Sequence, residues 1–235
     1  REPELAAYVT AAVPHTVGVL LNSNTRRGNV VLGDKYRTLF GRNYLMDTLC
    51  GLEFKLSMPS FYQVNRDQAE VLYGKALEFA GLTGTELAVD LYCGAGTIGL
   101  CAAGAGVRLF GTEIVPEAVE NARENALLNG RTEDDTRFFC GDAAEGIEAC
   151  KAAFGRVDTI FVDPPRKGVS ADVIEAIATM QPQRVVYVSC DPATLARDVK
   201  LLTEKGYTLR SAEAVDLFPK CAHVETVVLM SRDKE

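Results

Sequence analysis

The sequence has little histidine, no paired-cysteine motif and no long apolar run. Only two histidines occur, and the seven cysteines contain no C-x-x-C pair, so a zinc site and a disulfide framework are both disfavoured. No apolar run reaches the length that a transmembrane helix needs, and no signal peptide opens the chain. We therefore expect no metal site, no membrane segment and a reducing, cytoplasmic environment.

An excess of basic residues is also absent, because the formal net charge is −7. This balance argues against non-specific binding of nucleic acid by the whole surface. Residues 1–60 nevertheless carry a small excess of basic side chains, so a phosphate-facing surface is more plausible there than elsewhere. The chain begins at Arg1 inside an amphipathic helical pattern, and we expect that a longer protein was truncated upstream.

Two regions differ in their hydrophobic pattern, and 235 residues suffice for one large domain with a smaller appendage. In the first region, turn signals such as Asn22-Ser23-Asn24 separate short β-like runs at residues 17–21, 30–32, 36–40 and 52–56. We predict a β-rich subdomain at residues 1–60 and a second, larger domain at residues 61–235.

The second region alternates between strand-like and helical patterns. After a helical pattern at residues 64–80 that Gly81 terminates, strand-like runs occupy residues 87–92, 107–111, 137–140, 157–162, 185–188, 208–215 and 224–230. Helical patterns lie between the first six of these runs, at residues 98–105, 116–129, 143–153, 171–180 and 192–205. This alternation predicts an α/β fold with a mostly parallel sheet and an antiparallel C-terminal hairpin.

A glycine-rich loop follows the first strand-like run of this sheet. Gly94, Gly96 and Gly99 match G-x-G-x-x-G, a pattern that brings backbone N–H groups close to a bound nucleotide. Glu113 ends the next strand and could accept hydrogen bonds from ribose hydroxyl groups, while Asp142 closes the third strand and could face an adenine.

The glycine loop alone does not distinguish a dinucleotide from S-adenosylmethionine. Asp90 stands just before the loop, where its negative charge would suit the cationic amino-acid end of S-adenosylmethionine and would repel a pyrophosphate. The pattern therefore favours S-adenosylmethionine as the cofactor.

A cysteine and two carboxylates are predicted at the same edge of the sheet. The apolar run at residues 185–188 ends just before Cys190, and Pro192 opens a helical pattern, so the thiol lies between a strand and a helix. Asp163 ends the preceding strand and Glu225 begins the last strand. We expect the helix dipole to favour the thiolate, and the three side chains to surround one pocket suited to covalent catalysis.

Five segments together make the chain recognisable. They are residues 60–65 (SFYQVN), 90–96 (DLYCGAG), 162–168 (VDPPRKG), 187–198 (YVSCDPATLARD) and 216–225 (DLFPKCAHVE). Their combination closely resembles the RNA uracil-C5 methyltransferase family, which makes 5-methyluridine, and the members that act on 23S ribosomal RNA most of all. The resemblance implies a class I S-adenosylmethionine-dependent methyltransferase sheet, with the β-rich residues 1–60 facing RNA.

The resemblance also assigns roles to individual residues. It implies Cys190 as the nucleophile, Glu225 as the general base, and cofactor contacts from Gln63, Tyr92, Thr97, Glu113 and Asp163. A thiolate that adds to C6 of uracil makes C5 nucleophilic, C5 then accepts the methyl group, and a base must remove the C5 proton before the thiolate leaves. Gly94 and Asp142, from the nucleotide-binding pattern, complete the predicted cofactor site.

The family pattern also limits partners and further cofactors. Some relatives carry a nucleic-acid-binding β-barrel or an iron–sulfur cluster upstream, so a cluster is expected only in a missing upstream region. RNA is the one expected partner, with no membrane or protein partner evident. Asp191 replaces the asparagine that often follows the nucleophile, and it would disfavour the thiolate unless it caps the next helix.

Several other functions remain open on the sequence. A transfer-RNA uridine-C5 or an RNA cytosine-C5 methyltransferase would use the same thiolate chemistry, although cytosine enzymes usually show a Pro-Cys pair where residues 163–165 read DPP. An amino-group methyltransferase typically places an aromatic residue where Arg166 stands. An NAD-dependent oxidoreductase would explain the glycine loop but would leave Cys190 and Glu225 unused, and a non-catalytic RNA-binding assembly factor is a further class.

Overall fold

Two hairpins and two helices form the N-terminal part of the chain. The computed structural model describes residues 1–27, 31–33, 35–104 and 106–232. Its first elements are α1 (Glu2–Ala12), β1 (Gly18–Ser23), β2 (Lys35–Gly41), β3 (Tyr44–Leu49), β4 (Leu52–Ser57) and α2 (Arg66–Ala80). β1 pairs with β2 and β3 pairs with β4, each in a separate antiparallel sheet, so the β-like runs at residues 17–21, 36–40 and 52–56 fold within hairpins.

A seven-stranded sheet covered by helices makes up the rest of the described chain. It comprises β5 (Leu87–Asp90), α3 (Thr97–Ala103), β6 (Arg108–Glu113), α4 (Pro116–Leu128), β7 (Thr136–Cys140), α5 (Ala143–Phe154), β8 (Thr159–Val162), α6 (Ala171–Met180), β9 (Arg184–Ser189), α7 (Pro192–Glu204), β10 (Thr208–Val215) and β11 (Glu225–Ser231). The strand order is β10-β11-β9-β8-β5-β6-β7, in which β5 to β9 run parallel and β11 runs antiparallel to both of its neighbours. The predicted α/β fold with a mostly parallel sheet and an antiparallel C-terminal hairpin is confirmed.

The strands of this sheet are apolar on both faces because helices cover both faces. In β9, Val186 and Val188 pack in a core shared with α2 and α3, whereas Val185 and Tyr187 pack in a core shared with α6 and α7. This alternation follows the two-residue period of a strand. Burial on both faces explains why these strands are continuous apolar runs in the sequence.

Several predicted element bounds differ from the structure by one or two residues, among them the end of α3, and two strand predictions of the N-terminal region differ by a whole element. Residues 31–33 form no strand, against the prediction at residues 30–32, and Val30 lies outside the described residues. The sequence pattern does not predict β3, because a turn of Cys50 and Gly51, with φ of 52° and 77°, joins it to β4 without the usual Asn-Gly signal. Helix α3 ends at Ala103, short of the predicted residue 105, which the structure does not describe.

The carboxyl ends of the parallel strands define one edge of the sheet. The glycine loop follows β5 at this edge, Asp163 follows β8 and Cys190 follows β9. Because β11 runs antiparallel to β9, its first residue, Glu225, lies at the same edge. Ligands of open α/β sheets bind at this edge, so the fold places the candidate site there.

Candidate active site

The loop between β5 and α3 presents backbone groups at the carboxyl edge of the sheet. Gly94 and Gly96 both adopt left-handed conformations, with φ of 55° and 86°, which favour glycine. The Gly94 N–H donates to Oε2 of Glu113 (3.1 Å), so the carboxylate at the end of β6 holds the loop. A Cβ at Gly94 would meet no heavy atom within 4 Å, so the loop borders an open cradle.

Asp90 lies buried beneath this loop, next to the site where the sequence predicts a ligand. The residue is only 1% exposed, and its Oδ2 accepts a hydrogen bond from the N–H of Gly99 (2.9 Å). A Cβ at Gly99 would lie 2.9 Å from Cδ1 of Leu109, so the third glycine of the motif permits close packing of α3 on the sheet. Oδ1 of Asp90 is buried without a hydrogen-bond partner among the described residues.

The buried carboxyl group of Asp90 couples the stability of the fold to pH. Burial raises its pKa to about 7, the charge of Glu113 adds to this shift, and the hydrogen bond from Gly99 opposes it. The folded protein therefore binds this proton more tightly than the unfolded chain, in which the pKa is about 4. The resulting stabilisation is complete below about pH 4 and is lost as the pH rises from about 4 to 7.

Asp90→Asn keeps the shape of this side chain and removes its charge. We expect this variant to melt about 4 °C or more above the unmodified chain at pH 8, and to gain less at pH 5, because only the carboxyl group ionises. Circular-dichroism melts at the two pH values measure the difference. The same change at the exposed Asp134 should leave the pH dependence of melting unaltered, and an equal gain for Asp90→Asn at both pH values would contradict the prediction.

Three other predicted cofactor residues lie around the glycine loop. Besides holding Gly94, Glu113 accepts the N–H of Val115 through Oε1 (2.9 Å), which orients its carboxylate at the end of β6. Thr97 opens α3, and its hydroxyl lies 3.0 Å from the hydroxyl of the buried Tyr73. Tyr92 is half-buried within the loop itself, and burial raises its pKa to about 12.

Asp142 follows β7 at the same edge and caps α5. Its Oδ1 accepts the N–H of Glu145 (2.9 Å), and Oε2 of Glu145 accepts the N–H of Asp142 (3.1 Å), a reciprocal capping box. Asp142 and Glu145 stand three residues apart in the sequence, a spacing that indicates a helix cap at Asp142 as well as the predicted ligand contact. One carboxylate oxygen of Asp142 is thus engaged by the helix.

Cys190, Glu225 and Asp163 meet at the ends of three neighbouring strands. β11 pairs antiparallel with β9, and their last pair, Thr226 with Ser189, leaves Glu225 opposite Cys190 when the register is continued by one residue. Asp163 follows β8, the other neighbour of β9. The sheet therefore brings together the thiol and the two carboxyl groups.

The surroundings of Cys190 raise the pKa of its thiol, so the expected preference for the thiolate is wrong. Burial is the largest cause, and the charges of Glu225 and Asp163 add to it, while Arg166 and a backbone hydrogen bond oppose it. Helix α7 does begin beside Cys190, but burial, together with the charges of the two carboxyl groups from neighbouring strands, outweighs its dipole. The neutral thiol is the favoured form in this structure.

Both neighbouring carboxyl groups are also shifted toward their protonated form. Burial raises the pKa of Asp163 to about 8, and the charges of Glu225 and Asp90 add to this shift. Burial raises the pKa of Glu225, and the charge of Arg166 opposes that shift. Asp163, with a pKa of about 8, can exchange protons near neutral pH, so the cluster suits acid–base chemistry.

Asp191, the acid next to Cys190, caps helix α7. Oδ1 of Asp191 accepts the N–H groups of Ala193 (2.9 Å) and Thr194 (3.0 Å), and the hydrogen bond from Thr194 is the largest cause of its lowered pKa. The sequence predicts that Asp191 would disfavour the thiolate unless it caps the next helix. Asp191 does cap α7, and its charge is not among those that raise the pKa of Cys190.

Arg166 contributes to the site although the sequence analysis assigns it no role. Its guanidinium group opposes the upward pKa shifts of Cys190 and Glu225, so it acts as a cation beside the cluster. The sequence could have indicated this role, because Arg166 stands three residues after Asp163 in the loop that follows β8 at the carboxyl edge of the sheet. Arginine there balances the negative charge that three strand ends bring together.

Helix α7 fixes the loop that carries Arg166. The hydroxyl of Thr194 donates to the carbonyl of Arg166 (3.2 Å). Oδ2 of the fully buried Asp198 accepts hydrogen bonds from the N–H of Val169 (3.0 Å) and from the hydroxyl of Tyr187 (2.7 Å). The thiol and the arginine are therefore held by the same helix.

Gln63 is buried in the segment between β4 and α2. Two residues on, Asn65 caps α2 by accepting the N–H of Gln68 (3.4 Å) and donates its side-chain amide to the carbonyl of Leu217 (2.8 Å). This contact holds the segment against the loop that precedes Glu225. A cavity of about 730 Å³ lies between them, and its lining includes Val64, Arg66, Phe218, Pro219 and Lys220.

The described residues provide no candidate metal centre. Over residues 1–27, 31–33, 35–104 and 106–232, no three His, Cys, Asp or Glu side chains are grouped so as to hold a metal ion. All seven cysteines are free thiols. Within the same ranges, none of the helices combines the length and the apolar character needed to cross a bilayer.

The architecture matches solved methyltransferases. The tRNA (uracil-54, C5)-methyltransferase of Pyrococcus abyssi, solved in complex with S-adenosyl-L-homocysteine, aligns with a TM-score of 0.77 and 29% identity over 94% of this chain and 52% of that chain. The tRNA m1G37 methyltransferase of M. jannaschii shares the fold, with a TM-score of 0.65 and 14% identity over 99% of this chain and 68% of that chain. The fold is that of the S-adenosylmethionine-dependent methyltransferases.

Sequence comparison then specifies the family. The profile of the tRNA (uracil-5-)-methyltransferase family matches residues 30–233. Uncharacterized RNA methyltransferases from Halalkalibacterium halodurans (46% identity over 226 residues, 96% of this chain and 49% of the relative) and Staphylococcus aureus (44% over 220 residues, 94% and 48%) are similar. The chain belongs to this family of RNA uracil-5 methyltransferases, as predicted. It spans about half the length of the curated relatives it matches.

Proposed function

We propose that the protein transfers a methyl group from S-adenosylmethionine to C5 of a uridine in RNA, with Cys190 as nucleophile and Glu225 as base. The observation that carries this proposal is the meeting of Cys190, Glu225 and Asp163 at one sheet edge, where the glycine loop also lies. Family membership supports the reaction class. It argues against an NAD-dependent oxidoreductase and against a cytosine enzyme.

The residues around the glycine loop suit S-adenosylmethionine. Gly94 borders open space, and Glu113 lies where ribose hydroxyl groups could donate to its carboxylate. The buried carboxyl groups of Asp90 and Asp163 have raised pKa values, and a cationic ligand would restore their charge, whereas a pyrophosphate would oppose it. We propose further contacts from Gln63, Tyr92, Thr97 and Asp142.

Cys190 and Glu225 act on the uracil ring in sequence. The sulfur of Cys190 adds to C6, the electron pair of the C5–C6 double bond moves toward O4, and C5 becomes nucleophilic. When bound, S-adenosylmethionine supplies an electrophilic methyl group on a sulfonium centre for C5 to accept. Glu225 then removes the C5 proton, the C5–C6 double bond forms again, and the sulfur of Cys190 leaves as a thiolate.

The charges of the cluster support a thiolate that forms only in a loaded site. Arg166 favours the thiolate of Cys190 and the carboxylate of Glu225, which are the forms that the reaction requires. Glu225 and Asp163 oppose the thiolate, so a positive charge placed beside them would favour ionisation of Cys190. The cationic cofactor would bring such a charge, and the thiol would stay neutral in its absence.

A uridine of 23S ribosomal RNA is the substrate that we propose. The resemblance of residues 60–65 and 162–168 to the ribosomal members supports this choice. A transfer-RNA uridine is the second candidate, because the similar enzyme of Pyrococcus abyssi is a tRNA (uracil-54, C5)-methyltransferase. Both substrates would use the same thiolate chemistry.

The cavity beside Gln63 is a proposed path for the RNA strand. Phe218 offers an aromatic face at its wall and Lys220 offers a positive charge, two features of sites that bind single-stranded nucleic acid, while Arg66 pairs with Asp47 (3.9 Å) and Asp67 (3.6 Å) in the same wall. We propose that residues 1–60 form the RNA-facing subdomain and that residues 61–235 form the methyltransferase domain. The seven free cysteines support a reducing, cytoplasmic location.

Methyl transfer from tritium-labelled S-adenosylmethionine to unmodified transcripts of 23S RNA and of transfer RNA tests the proposal. We expect incorporation into the ribosomal transcript and recovery of the label as 5-methyluridine after nuclease digestion. Incorporation into transfer RNA alone would favour the second candidate. If calorimetry shows cofactor binding but neither RNA yields 5-methyluridine, the proposed reaction is wrong.

A further inference from the structure

Asn125 of α4 and Asn129, the residue that follows the end of α4, bind the backbone edge of β4 in the same way. Asn125 accepts a hydrogen bond from the N–H of Lys55 (2.7 Å) and donates to the carbonyl of that residue (3.2 Å). Asn129 makes the same pair of hydrogen bonds with Glu53 (3.0 and 2.7 Å). Each side-chain amide thus accepts from the N–H and donates to the carbonyl of one residue of β4, as a residue of a neighbouring strand would.

The spacing of these asparagines matches the spacing of the strand. Four residues of an α-helix advance about 6 Å, and two residues of an antiparallel strand advance about 6.8 Å. Amides four apart on α4 can therefore meet residues two apart on β4. Asn121 continues the series, since it donates to the hydroxyl groups of Ser57 (2.6 Å) and Ser60 (2.7 Å).

Asn125 differs from Asn129 in one contact to the glycine loop. The amide of Asn125 also donates to the carbonyl of Ala95 (3.0 Å), whereas the amide of Asn129 donates instead to the carbonyl of Asn125 within the helix (2.8 Å). Asn125 is 0% exposed, and both of its amide hydrogens are engaged. Its orientation is therefore fixed by partners on two separate elements.

We propose that Asn125 is a positioning residue that fixes the glycine loop for the cofactor, an inference that rests on the proposed cofactor site. Ala95 lies between the left-handed Gly94 and Gly96, so its carbonyl sets the peptide plane that orients the Gly96 N–H. Glu113 holds the loop through Gly94, and Asn125 holds it through Ala95. Because the same amide docks β4, it ties the N-terminal hairpin to the cofactor loop.

Alanine substitutions at Asn125 and Asn129 form a matched pair that tests this role. Both remove two hydrogen bonds to β4, and both should lower the melting temperature. Only Asn125→Ala removes the contact with Ala95, so we expect it to weaken S-adenosylhomocysteine binding about 10-fold or more in calorimetry, against less than about 2-fold for Asn129→Ala. Unchanged affinity in Asn125→Ala, or equal weakening in both variants, would overturn the proposal.

Amide hydrogen exchange provides a readout that needs no cofactor. Peptides that cover residues 91–100 should exchange faster in Asn125→Ala than in the unmodified chain, and Asn129→Ala should leave them unchanged. If the unmodified chain does not bind S-adenosylhomocysteine, the proposed function fails, but this comparison still decides the positioning role. If these peptides exchange at the same rate in Asn125→Ala as in the unmodified chain, the positioning role is wrong.

A second substitution covers the case in which Asn125→Ala does not fold. Asn125→Asp keeps the acceptor for the N–H of Lys55 and loses both amide donors, including the one to Ala95. It should show faster loop exchange and weaker S-adenosylhomocysteine binding. If both the exchange rate of the loop and the affinity for S-adenosylhomocysteine equal those of the unmodified chain, the proposal is wrong.

Discussion

Replacement of Cys190 by alanine is expected to lower the rate of methyl transfer to RNA by about 10⁴-fold or more. Without sulfur addition at C6, C5 of uracil lacks the electron density to accept a methyl group. The affinity for S-adenosylhomocysteine should remain close to that of the unmodified chain, because the proposed partner of the sulfur is the uracil ring. Single-turnover assays measure the rate, and calorimetry measures the affinity.

A covalent trap tests the same residue directly. RNA with 5-fluorouridine at the target position carries no proton on C5, so the adduct with the protein persists. The unmodified chain should form a complex that survives denaturing electrophoresis and maps to the Cys190 peptide, and Cys190→Ala should form none. Alanine at Cys140, also a free thiol at a strand end, is the matched control and should form the complex. Near-parental transfer by Cys190→Ala would eliminate the covalent route.

Glu225→Gln is expected to stop the reaction one step later than Cys190→Ala does. Glutamine keeps the size of the side chain but cannot take the C5 proton, so turnover should fall by about 10²–10⁴-fold. The methylated adduct should then accumulate on ordinary uridine RNA. Denaturing electrophoresis with labelled cofactor measures this complex, and mass spectrometry of its peptide identifies the methylated nucleotide.

Two further variants control for the loss of a charge at Glu225. Glu213→Gln removes a partly exposed carboxylate of β10 that pairs with Lys75 (3.3 Å), and it should turn over like the unmodified chain. The double variant Cys190→Ala/Glu225→Gln should form no complex. If Glu225→Gln turns over at the parental rate, or is folded and inactive without any complex, another group is the base.

The positions of Cys190, Asp163 and Glu225 at strand ends could be predicted because apolar runs stop or start beside them. β8 and β9 are buried along most of their length, and burial on both faces produces a continuous apolar pattern that ends where the strand leaves the core. The α/β fold follows from the same alternation of strand and helix patterns. These are local signals, so one sequence suffices to detect them.

Properties that depend on neighbouring strands could not be predicted in this way. The raised pKa of Cys190 comes from burial and from carboxyl groups that follow β8 or begin β11, which only the strand order brings to the end of β9. The burial of Asp90 likewise depends on how closely α3 packs at Gly99. A helix dipole and the neighbouring carboxyl groups can be inferred from the sequence, but the extent of burial, which is the largest cause of the raised pKa of Cys190, cannot.

The asparagines of α4 show a third case, in which the signal is visible but ambiguous. Their four-residue spacing places them on one face of a predicted helix, where asparagine is not a favoured residue. The backbone partners of Asn125 and Asn129 on β4 lie 70 and 76 residues away along the chain. No local pattern identifies such a partner.

The direction of β11 separates the chemistry of this site from the selection of its RNA. Backbone hydrogen bonds between β9 and β11 set the spacing of Cys190 and Glu225, whatever the length of the connecting loop at residues 216–224. A β11 parallel to β9 would carry its first residue to the opposite edge, about 20 Å away. If the loop contacts RNA as proposed, it can lengthen or change composition for another RNA shape while the two groups proposed to react keep their distance.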